Sequence, residues 1–349
     1  MKTAAVICEY NPMHDGHRAM LAQIRARIGA DGAILCLMSG DYVQRGEPAV
    51  FDKYTRAATA VTGGADLVLE LPYPWSSAVS EHFAGGALSI LRDLAVVDGV
   101  FFGSEGKSVE ELSTVALRQT DGAYRQRLTA ARGEYKTLSY PRLCDKVYKE
   151  LYGEEPSLLP NEILGVEYLK SARRLGLNLP FEALPMNDGF SASQLRLVLR
   201  AQRQGAALEI AERAILFHLL LAGKNDRFSR ASARCATLGE LFSRVRTPSD
   251  TDARLRRELL GVLFGGAGKE KEAPRFTVLL AANDRGKALL RAIKKNGGIE
   301  VVTKQAHAPE NDAARGQYRL YQRAQSLYPS FSPEGGSGAA MTGKKPHIV

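Results

Sequence analysis

Ala4-Ala5-Val6-Ile7-Cys8-Glu9-Tyr10-Asn11-Pro12-Met13-His14-Asp15-Gly16-His17 is the stretch that decides the fold of this chain. It begins as a short apolar run rich in strand formers. Asn11-Pro12 ends that run, because proline fixes φ and offers no ladder donor. Gly16 removes a side chain where the backbone turns, and Met20, Leu21, Ile24 and Ile28 then recur at helical spacing. The reading is strand, turn, helix, with two imidazoles at the turn. In open α/β sheets ligands bind beyond the carboxyl ends of the strands, and a helix N-terminus favours anions.

The alternation continues outward from this unit. Ala33–Met38, Ala65–Leu71 (ended by Pro72) and Gly99–Gly103 read as further strands, with helices over 16–29, 52–63 and 80–95. This βαβ rhythm predicts an α/β fold, a doubly wound parallel sheet of Rossmann-like type. Residues 108–150 read as helical and polar, and Glu162–Leu175 as a helix before Pro180 and a short strand around Phe181–Leu184. After about residue 200 strand signals thin out. Ala207–Leu221, Asp252–Leu263 and Ala288–Lys295 read as helices, Phe276–Leu280 and Ile299–Val302 as strands, and Gly265–Ala273 as a loop. From Ser330 onward, with Gly335-Gly336-Ser337-Gly338, the composition is that of a disordered tail. The expected organisation is a nucleotide-binding catalytic domain over 1–200, a mostly helical basic domain over 201–329 and a flexible tail over 330–349.

The 349 residues are 45% apolar and 24% charged, as in an ordinary soluble globular protein. No apolar run approaches the ~20 residues of a membrane span. The chain enters its first strand without a basic leader and apolar core, which points to a cytoplasmic protein with no membrane partner. Cys8, Cys36, Cys144 and Cys235 are widely spaced with no CxxC pair, so they read as reduced thiols, not a disulfide frame or zinc site. The charge is uneven. Residues 1–200 hold 22 Lys+Arg against 24 Asp+Glu (net −2) and residues 201–349 hold 25 against 14 (net +11), giving the total of +9. Such asymmetry suits a polyanion-binding module beside a near-neutral catalytic one.

Several further groups can carry chemistry. In Ser39–Pro48, after the second strand, Asp41, Gln44 and Arg45 suit a substrate or phosphate pocket, and Lys53 and Arg56 could extend its positive wall. One acid such as Asp41 is no metal signature, so metal ligands are not assigned. Gly103 ends the fourth strand, where a base or ribose could lie against the backbone. Asn161, behind Pro160, reads equally as a helix N-cap or a ligand contact. In Phe190-Ser191-Ala192-Ser193-Gln194-Leu195-Arg196, hydroxyls at a helix start and an arginine one turn in offer donors to a triphosphate. Arg254, Arg256 and Arg257 on one helix, with Arg291, Lys294 and Lys295 on another, suit the backbone of RNA. His218 lies in an apolar helix and reads as a core residue.

His14-Asp15-Gly16-His17 resembles the HxGH signature of the adenylyl- and cytidylyltransferase superfamily, and the 191–196 turn resembles its second, Ser/Thr-rich signature. That resemblance implies nucleotidyl transfer, with His14 and His17 stabilising charge on the α-phosphate and the leaving pyrophosphate. More specifically, EYNPMHDGH, SGDYVQRGEP followed by DKYTRA, GADLVLELP, FFGSE and PNEILGVEYLK occur in the order and spacing of the bacterial tRNA(Met) cytidine acetate ligases. The likeness covers residues 1–200 well and is thinner beyond.

By that resemblance the chain activates acetate with ATP as acetyl-adenylate, releasing pyrophosphate. It then acetylates N4 of the wobble cytidine of elongator tRNA(Met), releasing AMP. The same resemblance implies ATP contacts at Ile7, Cys8, Glu9, Tyr10, Asn11, Pro12, Met13, Asp15, Gly16, Arg18, Ala19 and Met20. It adds Gly103, Asn161, Ser191, Ser193 and Arg196, with Mg2+ as the ATP counter-ion. Two alternatives stand beside it: a nucleotidyltransferase acting on a small phosphorylated metabolite, and a non-catalytic tRNA-binding protein. Acetate-dependent pyrophosphate release separates the first reading from both.

Overall fold

The structure is a computed structural model that describes residues 1–186, 206–304, 307–328 and 346–348. Its strands are β1 (Thr3–Cys8), β2 (Ala33–Ser39), β3 (Tyr42–Val43), β4 (Glu47–Pro48), β5 (Leu67–Leu71), β6 (Gly99–Ser104), β7 (Phe181–Pro185), β8 (Phe276–Ala282), β9 (Glu300–Val302) and β10 (His347–Ile348). The first seven helices are α1 (Asp15–Ile28), α2 (Lys53–Thr62), α3 (Ser80–Leu94), α4 (Val109–Thr120), α5 (Gly122–Glu134), α6 (Tyr140–Tyr152) and α7 (Pro160–Arg174). Among the described residues of the second part six follow: α8 (Ala206–Ala222), α9 (Arg227–Ser232), α10 (Leu238–Val245), α11 (Asp252–Phe264), α12 (Asp284–Asn296) and α13 (Asp312–Leu327).

The main sheet runs β10-β8-β5-β2-β1-β6-β7, with β9 also paired to β8. Every neighbouring pair is parallel except β5 and β8. β1, β2 and β5 lie in its middle as near-continuous apolar runs, as strands covered on both faces must be. One face packs under α3, α4, α7 and α12 through Leu35, Leu69, Phe83, Leu88 and Leu289. The other packs under α1, α2 and α13 through Val6, Cys36, Ile24, Ala57 and Tyr318. A third core joins α8 to α11 with Tyr42, Val43 and Ala49 from the loop after β2.

Two features differ from the sequence reading. The sheet does not stop near residue 200: Phe276–Ala282 enters it antiparallel beside β5, so the sheet is mixed, not wholly parallel. The reason is composition, since every residue of β8 is buried and needs cover on both faces. The tail also returns, because His347 and Ile348 pair with Ala281 and Ala282 of β8. These residues are part of the sheet, not of a flexible segment. The rest of the tail lies outside the described residues.

Candidate nucleotide site

β1 and β6 are the switch point of the sheet, because β2 and β5 extend on one side and β7 on the other. Their pairing ends at Val6–Phe101, although β1 continues to Cys8 and β6 to Ser104. The crevice where ligands bind in such sheets therefore opens beyond the carboxyl end of β1. Into it the chain sends Tyr10 at φ 43, the cis Asn11–Pro12 bond and then α1.

His14 is the N-cap of α1. Its Nδ1 accepts from the Gly16 amide at 3.2 Å, and its own amide donates to His17 Nδ1 at 3.3 Å. Both Nδ1 atoms thus act as acceptors, which assigns the proton of each neutral ring to Nε2. The rings lie 3.7 Å apart between centroids, and Tyr10 meets His17 edge-on at 5.0 Å. Burial, and then the neighbouring His14, push the His17 pKa down to about 3. His17 is a neutral hydrogen-bond donor across the physiological range, at a helix N-terminus that attracts anions.

The rest of the 7–20 stretch divides by role. Ile7 and Met20 belong to the core, and Ala19 is half-buried. The largely buried Cys8 thiol is pushed up by burial and by Cys36, so it stays protonated. Glu9 Oε1 accepts from the Gln44 amide at 2.7 Å, and Asn11 Oδ1 from the Val50 amide at 2.7 Å. These two bonds tie the turn to the loop after β2. Met13 reaches towards Gly63, where any Cβ would meet its methyl group at 2.4 Å. Asp15 and Arg18 are exposed and 4.0 Å apart. Beside the turn, Pro12, Met13, Arg18, Phe51, Thr55 and Thr59 help to line a cavity of about 220 Å³.

Lys53 and Arg56 do not form a positive wall. Arg56 is 1% exposed and donates to the carbonyls of Glu9, Ser39, Gly40 and Phe51, clamping the two loops together. Lys53, 0% exposed, lies 3.3 Å from Asp41 and 3.0 Å from Glu70, and donates to Tyr321 Oη at 2.6 Å. Burial opposes its charge, but the two acids more than compensate and raise its pKa. Asp41 is itself buried, and neither carboxylate oxygen has a hydrogen-bond partner among the described residues. Glu70 and Tyr321 escaped the sequence reading. An acid inside the apolar run Leu67–Leu71 was the available signal.

Gly103 and Asn161 stand at the same edge. A Cβ on Gly103 would meet Met186 at 2.6 Å, so the glycine makes room for that side chain. Asn161 is not the N-cap of α7, which is Leu159; its amide groups donate to Glu105 Oε1 at 2.9 and 3.2 Å. Glu162 instead holds this corner, accepting from Ser104, Lys107 and Leu159. Ser191, Ser193 and Arg196 lie outside the described residues.

The two groups of basic residues are separated. Arg257 donates to the Gln44 carbonyl at 3.1 Å and Arg256 pairs with Glu47, which brings the start of α11 to the loop beside the site. Arg254 is exposed and 3.3 Å from Asp250. α12 is anchored at the opposite, amino edge. Gly286 lies against the Asp66 carbonyl, and Gly298 after the helix donates to Asp93 at 2.7 Å. Arg291, Lys294 and Lys295 are exposed on that helix, away from His14 and His17.

A family model described as HIGH Nucleotidyl Transferase matches residues 1–187 and 219–339. A tRNA(Met) cytidine acetate ligase of Acetivibrio thermocellus is 30% identical, over 87% of this chain and 88% of that protein. The enzyme of the same name from Caldanaerobacter subterraneus is 28% identical, over 88% and 89%. A crystal structure of Thermotoga maritima TmcAL bound with alpha-thio ATP superposes over 100% of both chains, with a TM-score of 0.86 at 25% identity. The chain belongs to the HIGH nucleotidyl transferase family, among the tRNA(Met) cytidine acetate ligases.

Proposed function

We propose that this chain is an ATP-dependent ligase that joins acetate to a cytidine of tRNA(Met). A carboxylate oxygen of acetate attacks the α-phosphorus of ATP, the bond to the β-phosphate breaks, and pyrophosphate leaves. The N4 amine of the wobble cytidine then attacks the acetyl carbon, AMP departs and the amine proton passes to solvent. The base must leave its stack to reach the site, as other base-modifying enzymes require.

One observation carries the reading: a pair of imidazoles at the first turn of α1, with both Nδ1 atoms occupied by backbone donors. Their Nε2 protons suit the negative charge that builds on the α-phosphate and the leaving oxygen. Arg18 and the apolar wall of the neighbouring cavity suit the carboxylate and methyl group of acetate. Magnesium would enter as the counter-ion of the ATP phosphates; among the described residues no group of three or more His, Cys, Asp or Glu could hold a metal. Also among the described residues, no helix is long and apolar enough to cross a membrane.

The test is ATP–pyrophosphate exchange with and without acetate, followed by nucleoside mass analysis of tRNA incubated with the enzyme. Acetate-dependent exchange and new N4-acetylcytidine are expected. Exchange without acetate dependence would redirect the search to a phosphorylated metabolite.

A further inference from the structure

Helix α11 lies with its second turn against the tip of the loop after β2. A Cβ on Gly46 would come within 2.7 Å of the Arg257 backbone nitrogen. Arg257 also donates to the carbonyl of Gln44. Arg45 sits between these two contact residues with its side chain exposed. Among the described residues no hydrogen bond or ion pair engages its guanidinium.

The arginines of this corner are unequally neutralised. Arg256 has Glu47, and Arg254 has Asp250, an acid it shares with Arg227. Among the described residues Arg257 pairs with no carboxylate. Burial, and then the charge of Arg254, lower its pKa to about 10. A guanidinium has five donors, and one carbonyl leaves most of them unused. A partly desolvated cation without a counter-charge is costly to keep, and it gains most from an anion brought by a ligand.

We infer that Arg45, Arg254 and Arg257 form a seat for one phosphodiester of an RNA backbone, at the joint between the loop after β2 and helix α11. The inference rests on the reading that the chain acts on tRNA and adds where the strand is gripped. The alternative anion is the ATP triphosphate. Glu9 argues against it, because its carboxylate binds the Gln44 amide and so stands between the α1 turn and the loop tip. A phosphate chain extended from α1 to Arg257 would have to pass that negative charge, whereas a strand arriving from outside meets Arg45 and Arg254 first.

The test measures binding of bacterial tRNA to the full chain against potassium chloride concentration. The proteins are wild type, Arg45→Gln, Arg257→Gln and the pair, with ATP binding followed by calorimetry. Each single variant is expected to bind tRNA about three- to tenfold more weakly near 0.1 M salt. The slope of log K against log salt becomes shallower by about 0.7–0.9, the value for one lost phosphate contact. The pair shows much less than the summed loss, because both side chains hold the same phosphate. An unchanged slope in Arg45→Gln, an exposed position that does not endanger folding, overturns the seat. A tenfold loss of ATP affinity at constant slope assigns these arginines to the triphosphate and also overturns it. A wild-type chain that neither binds tRNA nor forms N4-acetylcytidine overturns the functional reading itself. Wild-type binding and acetylation, with variants that match it, overturns the seat alone.

Discussion

Two buried aspartates, one at each edge of the sheet, are held in opposite ways. At the amino edge Asp66 accepts from the Ile34 amide at 2.8 Å, from Asn283 Nδ2 at 2.9 Å and from Arg25. At the carboxyl edge Asp41 has Lys53 at 3.3 Å and no hydrogen bond to either oxygen among the described residues. The same asymmetry holds for the basic residues, with α11 at the site and α12 across the sheet from it. A six-residue strand such as β1 separates the edges by about 20 Å. The saturated edge holds the fold together. The unsaturated edge keeps polar capacity in reserve, where native proteins usually leave little without a reason.

His17→Ala is expected to lower acetate-dependent ATP–pyrophosphate exchange by about 10²–10³-fold, the usual cost of one lost charge-stabilising donor. Thermal stability should change little, and exchange near the wild-type rate would remove His17 from the chemistry. Asp66→Ala is expected to cost about 3 kcal/mol in urea unfolding, since Arg25 and Asn283 lose a shared buried acceptor. A cost below about 1 kcal/mol would mean that the amino edge is held by β8 packing alone.

The basic residues of the two edges should differ in the same way. The triple Gln variant at Arg254, Arg256 and Arg257 is expected to weaken tRNA binding by about tenfold or more. The same change at Arg291, Lys294 and Lys295 is expected to weaken it less than about twofold. Equal losses would mean that the RNA wraps both edges. Asp41→Asn is expected to alter stability by less than about 1 kcal/mol, because Lys53 keeps Glu70 and Tyr321. A loss of several kcal/mol would make Asp41 the same kind of residue as Asp66.

A further effect is pH-dependent. The unfolded chain protonates His17 from about pH 6.5 downward, while the folded chain resists protonation until about pH 3. Stability from this group is therefore complete above about pH 6.5 and is lost as pH falls through that window. The melting temperature should drop between pH 7.5 and 4.5, and His17→Asn should lessen the drop. An identical pH dependence in that variant would show that His17 titrates normally.

Much of this was legible in the sequence because local chemistry wrote it. Asn11-Pro12, Gly16 and the helical spacing after it place the β1–α1 turn without any knowledge of the rest of the chain. The boundaries of α2 and α3 follow for the same reason. What could not be read depends on distant partners. Phe276–Leu280 looks like a strand, but nothing in that run says that it lies antiparallel to β5. Lys53 and Arg56 read from the sequence as the positive wall of a pocket, because their acceptors come from distant residues 9, 39–41, 51, 70 and 321. Asn161 reads as either a cap or a ligand contact because Pro160 precedes it, yet Glu162 supplies the capping carboxylate one residue later.

The place of β8 also sets an order of events during synthesis. β5 ends at residue 71, and the strand that covers its free side begins at residue 276. At about 5–20 residues per second, the ribosome takes roughly 10–40 s to make the intervening chain. For that interval a nascent strand of Leu, Val and Leu presents an open hydrogen-bonding edge to every neighbouring chain on the polysome. A messenger cut short before residue 276 would therefore yield a sticky fragment, and the cell's chaperones would meet this protein at β5.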